Sequence, residues 1–266
     1  MPFANVNGQS IHFVDHQAGS GGNEPAIILS HGFSMGHEMW APQLAPLTDV
    51  GWRVITYDER GWGQTTYTEP FTYWDLADDV LALMDHLGLD TAVLGGMSQG
   101  GFLTLRAALT SPERVRAMFL VDTEPNDLPE DERVQFQALF DAALAMGLAG
   151  EVGDMLQAVL FAPGFDGAAI WRAKWNARPV AAWAAAKECL FERDSVAERL
   201  AEITCPALVV HGDVDAAIPL DRGREMADAL GGPVTFIEVA GAGHSANLED
   251  PATVNAALLG FLAALG

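Results

Sequence analysis

Short apolar runs alternate with helix-like patterns along most of the chain. The apolar runs predict buried strands at 26–30, 54–57, 92–94, 117–121, 207–210 and 234–239. Between several of them, apolar residues recur at helical spacing, as they do at Leu76, Val80 and Leu83. Near the start, Asn7-Gly8 separates two strand-like segments and predicts a hairpin. This alternation predicts an α/β fold with a mostly parallel central sheet flanked by helices.

The alternation stops between residues 124 and 203. This segment is rich in alanine and carries scattered tryptophan, phenylalanine and methionine, without a convincing strand pattern. We predict that it forms several helices, inserted as a cap into a core made of residues 1–123 and 204–266. Two helix starts in the core are marked by capping residues, Thr72 with Asp75 and Asp250 before Pro251.

The composition is strongly acidic. The 266 residues include 14 Lys and Arg against 36 Asp and Glu, which gives a formal net charge of −22. Such a surface repels nucleic acid and anionic membranes, so neither is expected as a partner. The N-terminus lacks a signal-peptide pattern and no apolar run reaches the roughly 18 residues of a membrane span, so a cytoplasmic protein is predicted. Cys189 and Cys205 are expected to be reduced, and the oligomeric state stays open.

A lone serine stands on a glycine-flanked corner between a predicted strand and a predicted helix. The segment GMSQG at 96–100 has the form G-x-S-x-G, with Ser98 at its centre. A turn this tight usually forces its central residue to positive φ, and the glycines on either side let the backbone pass without a clash. The corner therefore predicts an exposed hydroxyl at the top of the sheet, beside a helix N-terminus.

Further polar residues follow the ends of other predicted strands. Because the carboxyl ends of parallel strands meet in one crevice, we expect these residues to lie near Ser98; they include Asp122, Asp213, Asp215 and His244. A serine hydroxyl is a weak nucleophile at neutral pH, so it needs a base, and the base needs an acid that fixes its tautomer. Asp122, Asp213 and Asp215 are all candidates for that acid.

Five segments together carry a family resemblance. They are HGF at 31–33, YDERGWGQT at 57–65, GMSQGG at 96–101, HGDVDAAIP at 211–219 and GAGH at 241–244. The chain resembles the α/β-hydrolase superfamily, and most of all its cofactor-free haloperoxidase and aryl-esterase branch. The resemblance implies Ser98 as nucleophile, His244 as base and Asp215 as acid. It also implies an oxyanion hole made of the backbone N–H groups of Phe33 and Gln99, with no metal and no organic cofactor.

The reaction implied by this resemblance is hydrolysis of a small-molecule carboxylic ester or lactone through an acyl-enzyme. Related chemistries of the same residues stay open, namely hydrolysis of enol-lactones or dienelactones, hydrolysis of a carbon–carbon bond, and perhydrolysis as a side activity. The non-enzymatic alternative is a ligand-binding protein on a hydrolase fold. A complete serine, histidine and acid set argues against that alternative.

The cap raises the question of substrate charge. Its aromatic and methionine residues predict an apolar pocket and neutral substrates. Its basic residues allow a second interpretation, because Arg172, Lys174, Arg178 and Lys187 stand in an otherwise acidic chain. They form either a solvated helix face or a set in which one member meets a substrate carboxylate.

The remaining histidines are interpreted as structural. His31 and His211 follow strand ends and are expected to form hydrogen bonds near the crevice. His12 and His16 share one face of a strand, but no third ligand stands near them in sequence. We therefore expect no metal site there.

Overall fold

The computed structural model of the chain describes residues 2–17, 24–67 and 69–266. It contains an eight-stranded sheet in the order β1-β2-β4-β3-β5-β6-β7-β8. The first two strands join the sheet antiparallel and the rest are parallel. The predicted mostly parallel sheet is thus confirmed, and its strands are β1 (Phe3–Val6), β2 (Gln9–His16), β3 (Ala26–Ser30), β4 (Arg53–Tyr57), β5 (Ala92–Met97), β6 (Val115–Val121), β7 (Ala207–Gly212) and β8 (Val234–Val239).

Helices flank the sheet and also form the segment between β6 and β7. That segment, residues 124–203, contains no strand and carries α4 to α7. In chain order the helices are α1 (Ala41–Asp49), α2 (Tyr73–His86), α3 (Gln99–Thr110), α4 (Glu130–Met146), α5 (Glu151–Leu160), α6 (Ala168–Asn176), α7 (Ala184–Phe191), α8 (Leu220–Ala229), α9 (Ala246–Glu249) and α10 (Pro251–Ala264). None of the helices in the described ranges is both long enough and apolar enough to cross a membrane.

Local sequence signals explain several of these boundaries. The hairpin between β1 and β2 turns at Asn7 and Gly8, both of which have positive φ, as the Asn-Gly signature predicts. Helix α2 begins with the predicted capping box, in which Thr72 and Asp75 each satisfy the other's backbone N–H. The side chain of Asp250 accepts a hydrogen bond from the backbone of Thr253 at the start of α10.

Strand β5 is longer than the sequence pattern indicates. The apolar run ends at Leu94, but the strand continues through Gly95 and Gly96 to Met97. A Cβ on Gly96 would lie 2.0 Å from the carbonyl oxygen of Gly100, so only glycine allows α3 to start directly against the strand. The strand therefore carries the chain to the point where the lone serine turns it into the helix.

Candidate active site

Ser98 occupies the tight corner between β5 and α3. Its φ of 51° and ψ of −117° lie in a region that residues with a Cβ rarely adopt, as expected from the glycines beside it. The surrounding structure fixes this conformation, because the Ser98 amide donates to the Val121 carbonyl at 2.9 Å and the Thr123 hydroxyl donates to the Ser98 carbonyl at 2.8 Å. The corner presents the hydroxyl to His244, and Ser98 is only 7% exposed, so the prediction of an exposed hydroxyl is wrong for the closed structure around it.

The structure brings Ser98, His244 and Asp215 into one hydrogen-bonded chain. The Ser98 Oγ lies 2.9 Å from Nε2 of His244, and Nδ1 of His244 lies 2.8 Å from Oδ2 of Asp215. The other carboxylate oxygen of Asp215 accepts from the backbone amides of Ala217 and Ile218, at 2.8 and 2.9 Å. A serine, a histidine and an acid thus lie in the order that activates a hydroxyl nucleophile.

The electrostatics of this chain favour a charged acid and a basic histidine. Burial acts to raise the pKa of Asp215, but His244 and His211 outweigh it and lower that pKa to about 2. Burial likewise acts to lower the pKa of His244, and the Asp215 carboxylate outweighs it, so the His244 pKa is raised above its ordinary value. The carboxylate therefore remains ionised at neutral pH and strengthens the histidine as a proton acceptor.

The two other candidate acids, Asp122 and Asp213, accept hydrogen bonds from backbone amides. Both oxygens of Asp122 accept from amides, one from Gly212 and one from Ala246, each at 2.8 Å. Burial raises the pKa of Asp122 to about 6. Because Gly212 leads towards Asp215 and Ala246 follows His244, Asp122 ties the two loops together. Asp213, on the surface, accepts from the Gly241 amide at 2.6 Å.

His211 has a closer relation to the site than the sequence indicated. Its Nε2 lies 2.8 Å from the Ile218 carbonyl and 3.3 Å from Oδ2 of Asp215, and the side chain is fully buried. It therefore contacts the same carboxylate oxygen as His244, whereas the Ala217 amide binds the other oxygen. The sequence identified His211 as structural but gave no sign of this contact, because a four-residue separation in a loop does not fix a side-chain direction.

The two amides proposed for the oxyanion hole are available as donors. Gln99 is the first residue of α3, where a helix leaves its amides without intrahelical partners. Within residues 2–17, 24–67 and 69–266, the backbone N–H groups of Phe33 and Gln99 donate to no protein acceptor. The side chain of Gln99 is bound to Glu59, because its Nε2 donates to Oε2 of Glu59 at 2.6 Å. The role of these amides stays a prediction.

An apolar cavity opens over Ser98 and His244, under the helices of residues 124–203. Its walls are mainly aromatic and aliphatic side chains, which include Phe33, Phe102, Phe136, Phe140, Leu156 and Trp183. The charged exceptions are Glu124, Glu132 and Arg193, and Arg193 Nη2 donates to Glu124 Oε1 at 2.9 Å. Sequence reasoning missed this buried pair, since its members lie 69 residues apart along the chain.

None of the four basic cap residues considered above lines this cavity. Arg172 pairs with Asp154, Lys174 with Glu38 and Lys187 with Glu188. Arg178 instead donates to the carbonyl of Gly61 and lies over the ring of Trp62. The solvated-face interpretation fits Lys174, whose side chain is 40% exposed, but not Arg172 and Lys187, whose side chains are only 18% and 17% exposed. Arg178 fits neither alternative.

His12 forms a cluster with His37 and Asp58, not with His16 as its position on the strand suggested. His12 and His37 each place Nδ1 at 2.9 Å from the Asp58 carboxylate, one on each oxygen. His37 and Asp58 lie 25 and 46 residues from His12 in the chain, so sequence spacing did not indicate them as its neighbours. The amides of His37 and Gln64 also donate to Asp58, so its oxygens already accept four hydrogen bonds and the cluster braces the loop after β4. His31 is similarly bound to backbone, with Nε2 accepting from the Glu59 amide at 3.0 Å.

One carboxylate joins the His244 loop to the end of α5. Oε2 of Glu249 accepts from the Ala162 amide at 2.8 Å, and Oε1 accepts from the amides of Gly243 and Ser245 at 3.2 and 3.3 Å. A Cβ on Gly243 would lie 2.5 Å from the Ala162 nitrogen, so glycine is required for this close approach. The amides before and after His244 are thus fixed to the same group as the end of α5.

Comparison with known proteins identifies the family. The sequence model described as the alpha/beta hydrolase fold matches residues 25–251. The chain belongs to the α/β-hydrolase family. This hydrolase is 31% identical to 3-oxoadipate enol-lactonase 1 of Acinetobacter baylyi over 234 residues, which cover 86% of the chain and 85% of that protein. The resemblance inferred from the motifs is thereby confirmed.

Solved structures agree with this placement of the hydrolase. An enol-lactonase from Burkholderia xenovorans LB400 superposes with a TM-score of 0.88 at 28% identity, covering 98% of this chain and 100% of that one. A thermophilic esterase from Thermogutta terrifontis also gives a TM-score of 0.88, at 25% identity, covering 99% of this chain and 98% of that one. The chain is therefore similar to hydrolases of esters and of lactones along almost its whole length.

Proposed function

We propose that this hydrolase cleaves carboxylic esters or lactones through an acyl-enzyme on Ser98. The observation that carries the proposal is the continuous chain from the Ser98 Oγ through both nitrogens of His244 to Asp215, with distances of 2.9 and 2.8 Å. Hydrogen-bond contact between nucleophile and base, with the base oriented by a third group, is the geometry that activates a serine. The similarity to an enol-lactonase and to an esterase supports the same reaction class.

The proposed reaction runs in two halves. Ser98 attacks the substrate carbonyl carbon while its proton passes to Nε2 of His244, and the carbonyl oxygen becomes an oxyanion that accepts from the amides of Phe33 and Gln99. Protonated His244 then gives the proton to the departing alkoxide oxygen, which leaves an acyl group on Ser98. Water next transfers a proton to His244 and attacks the acyl carbon. The bond between that carbon and the Ser98 Oγ then breaks, His244 returns the proton to the Oγ, and the carboxylic acid is released.

A fluorophosphonate probe tests this function directly. The reagent reacts only with an activated serine, so we expect one phosphonyl group per chain, located on Ser98 by peptide mass mapping. The Ser98→Ala chain should take up none. Absence of labelling in the folded wild-type chain would favour the alternative, a ligand-binding protein on this fold.

The cavity lining predicts a preference for neutral substrates. Burying a carboxylate among apolar side chains is unfavourable unless it meets a cation, and Arg193 already pairs with Glu124. We therefore expect p-nitrophenyl esters with aliphatic or aromatic acyl groups to give kcat/KM values at least about tenfold above those of chain-length-matched esters that end in a carboxylate. Equal or reversed values would show that a cation of the cavity is free to bind the substrate.

The pKa of His244 sets the expected pH dependence. The base must be neutral to accept the serine proton, and its pKa is raised by Asp215 against the effect of burial. The activity is therefore lost as the pH falls through the raised pKa, and kcat/KM should reach half its plateau above the ordinary imidazole value of about 6.5. Stopped-flow or initial-rate measurements from pH 5 to 9 check this, and a profile that is flat over that range would exclude His244 as the base.

A further inference from the structure

The loop after β3 carries one proposed oxyanion donor, the Phe33 amide, in a strained turn. The Met35 amide donates to the Gly32 carbonyl at 3.1 Å, which closes a four-residue turn. Ser34 stands at the third position of this turn with a φ of 63°, a conformation that usually requires glycine or asparagine. Such strain persists only where neighbouring groups fix the backbone. The place of the Phe33 amide therefore depends on what holds the Ser34 peptide group.

The cap supplies the group that holds Ser34. Nε1 of Trp175, a residue of α6, donates to the Ser34 carbonyl at 2.9 Å. Among the residues that the structure describes, no second donor reaches this carbonyl, and the buried Ser34 hydroxyl has no hydrogen-bond partner. Because the hydroxyl holds nothing, the indole N–H of Trp175 is the contact that fixes the Ser34 peptide group.

The indole itself has little freedom. Trp175 is only 2% exposed, and its ring lies within 16° of parallel to the ring of Phe161, with the two centroids 6.3 Å apart. Phe161 directly precedes Ala162, whose amide binds the carboxylate of Glu249 beside the His244 loop. The same stretch of the cap therefore contacts the loop of the proposed base through Glu249 and the loop of the proposed oxyanion hole through Trp175.

We propose that Trp175 is a positioning residue for the oxyanion hole, with its indole N–H holding the turn that presents the Phe33 amide to the substrate. The inference rests on the proposed function, because an oxyanion forms only if Ser98 attacks a carbonyl. Trp175 is not among the residues that line the cavity over Ser98, so it acts through the turn and not by touching the substrate. The Ser34 carbonyl lies two peptide groups after the one that carries the Phe33 N–H, and a shift of the turn would move that donor.

The position of this donor matters in one state of the reaction. The negative charge on the substrate oxygen develops in the transition state and is absent from the bound ester, so a displaced donor lowers the rate without weakening ground-state binding. A tryptophan that only filled space in the cap would behave differently, since its loss would disturb the cavity walls and weaken binding as well.

Trp175→Phe tests this role, because it removes the N–H donor and keeps an aromatic ring beside Phe161. Loss of an oxyanion donor lowers kcat by about a hundredfold to a thousandfold, and displacement of one should have a smaller effect, so we expect kcat for a neutral p-nitrophenyl ester to fall about ten- to hundredfold. Binding of the same ester, measured by calorimetry on chains that also carry Ser98→Ala, should change by less than about twofold. An unchanged kcat, or a loss of binding as large as the loss of kcat, would overturn the proposal.

Trp74→Phe is the matched control. Nε1 of Trp74 donates to Oδ2 of Asp194 at 3.0 Å, and Trp74 does not line the cavity over Ser98. This variant therefore loses an indole hydrogen bond of similar length without touching the loop after β3, and its kcat should equal that of the wild type. An equal fall of kcat in the two variants would contradict the proposal.

Phe161→Leu is the second variant, for use if Trp175→Phe does not fold. It removes the ring that lies beside the indole and leaves the N–H donor in place. Phe161 does not line the cavity either, so we expect kcat to fall several-fold while binding of the ester is unchanged. A wild-type kcat in this variant would count against the proposal.

Hydrogen exchange of the Met35 amide tests the positioning without any serine chemistry. This amide closes the turn, so it should exchange at least about tenfold faster in Trp175→Phe than in the wild type or in Trp74→Phe. Equal exchange in the three chains would overturn the proposal, whether or not the wild-type chain hydrolyses esters. Failure of the proposed reaction is seen separately, in the wild-type rate and in the labelling of Ser98.

Discussion

Replacement of Ser98 by alanine should abolish hydrolysis while the fold remains intact. Loss of the nucleophile in a serine protease lowers kcat by about a million-fold, and we expect a loss of at least about ten-thousand-fold here. The fold should survive because the backbone of residue 98 makes the bonds that fix the corner, through its amide to Val121 and its carbonyl to Thr123. Alanine has the same Cβ at the same positive φ, so it adds no new strain.

Initial rates with a neutral p-nitrophenyl ester measure this effect. Ser111→Ala, at the far end of the same helix, is the control for a serine that lies outside the site. Circular dichroism and the thermal midpoint establish that both variants are folded. A folded Ser98→Ala enzyme that retained a tenth of the wild-type rate would rule out the proposed nucleophile.

Asp215→Asn should give the second-largest loss. The asparagine retains the shape of the side chain, but its NH₂ group cannot accept the Nδ1 proton of His244 and so favours the wrong tautomer. The corresponding change in a serine protease lowers kcat by about ten-thousand-fold. We expect a loss of the same order, because Asp215 is the residue whose carboxylate contacts His244, at 2.8 Å. The measurement is kcat at a pH on the plateau of the wild-type profile.

Two other aspartates serve as comparisons for Asp215. Asp213→Asn should remain close to wild type, since this surface side chain holds only the Gly241 amide. Asp122→Asn should lower the thermal midpoint, because an asparagine can accept from only one of the two amides that Asp122 now binds. Its loss in kcat should stay well below that of Asp215→Asn. Comparable losses at positions 122 and 215 would reopen the choice of acid.

The fold was accessible from the sequence because its signals are local. Periodic apolar positions marked every parallel strand, and Asn7-Gly8 marked the hairpin. The corner at Ser98 was also predicted from a local motif, because glycines two positions before and two positions after the serine leave room for a tight strand-to-helix turn. The extension of β5 through its glycines was missed because glycine carries no apolar side chain for the pattern to register.

Contacts between segments that are distant in the chain could not be predicted from local sequence patterns. The contacts of His12 and His37 with Asp58 join three separate segments, and the pairing of Arg193 with Glu124 joins residues 69 positions apart. A charge alone in a sequence does not reveal its partner, because ion pairs depend on side-chain directions that no local pattern fixes. The same limit left Arg178 among four similar basic residues until its surroundings were known.

The bond between Glu249 and Ala162 has a consequence for chimaeric enzymes. Exchanging the lid of one hydrolase for that of another would also exchange the peptide group that meets Glu249, and this carboxylate holds the amides on both sides of His244. A graft could therefore supply the intended pocket lining and still displace His244, the proposed base. Engineering a new specificity by exchanging this helical segment requires that the introduced segment supply a backbone amide in the same place, next to Gly243. Glu249 thus couples the helical segment of residues 124–203 to the loop that carries the proposed base.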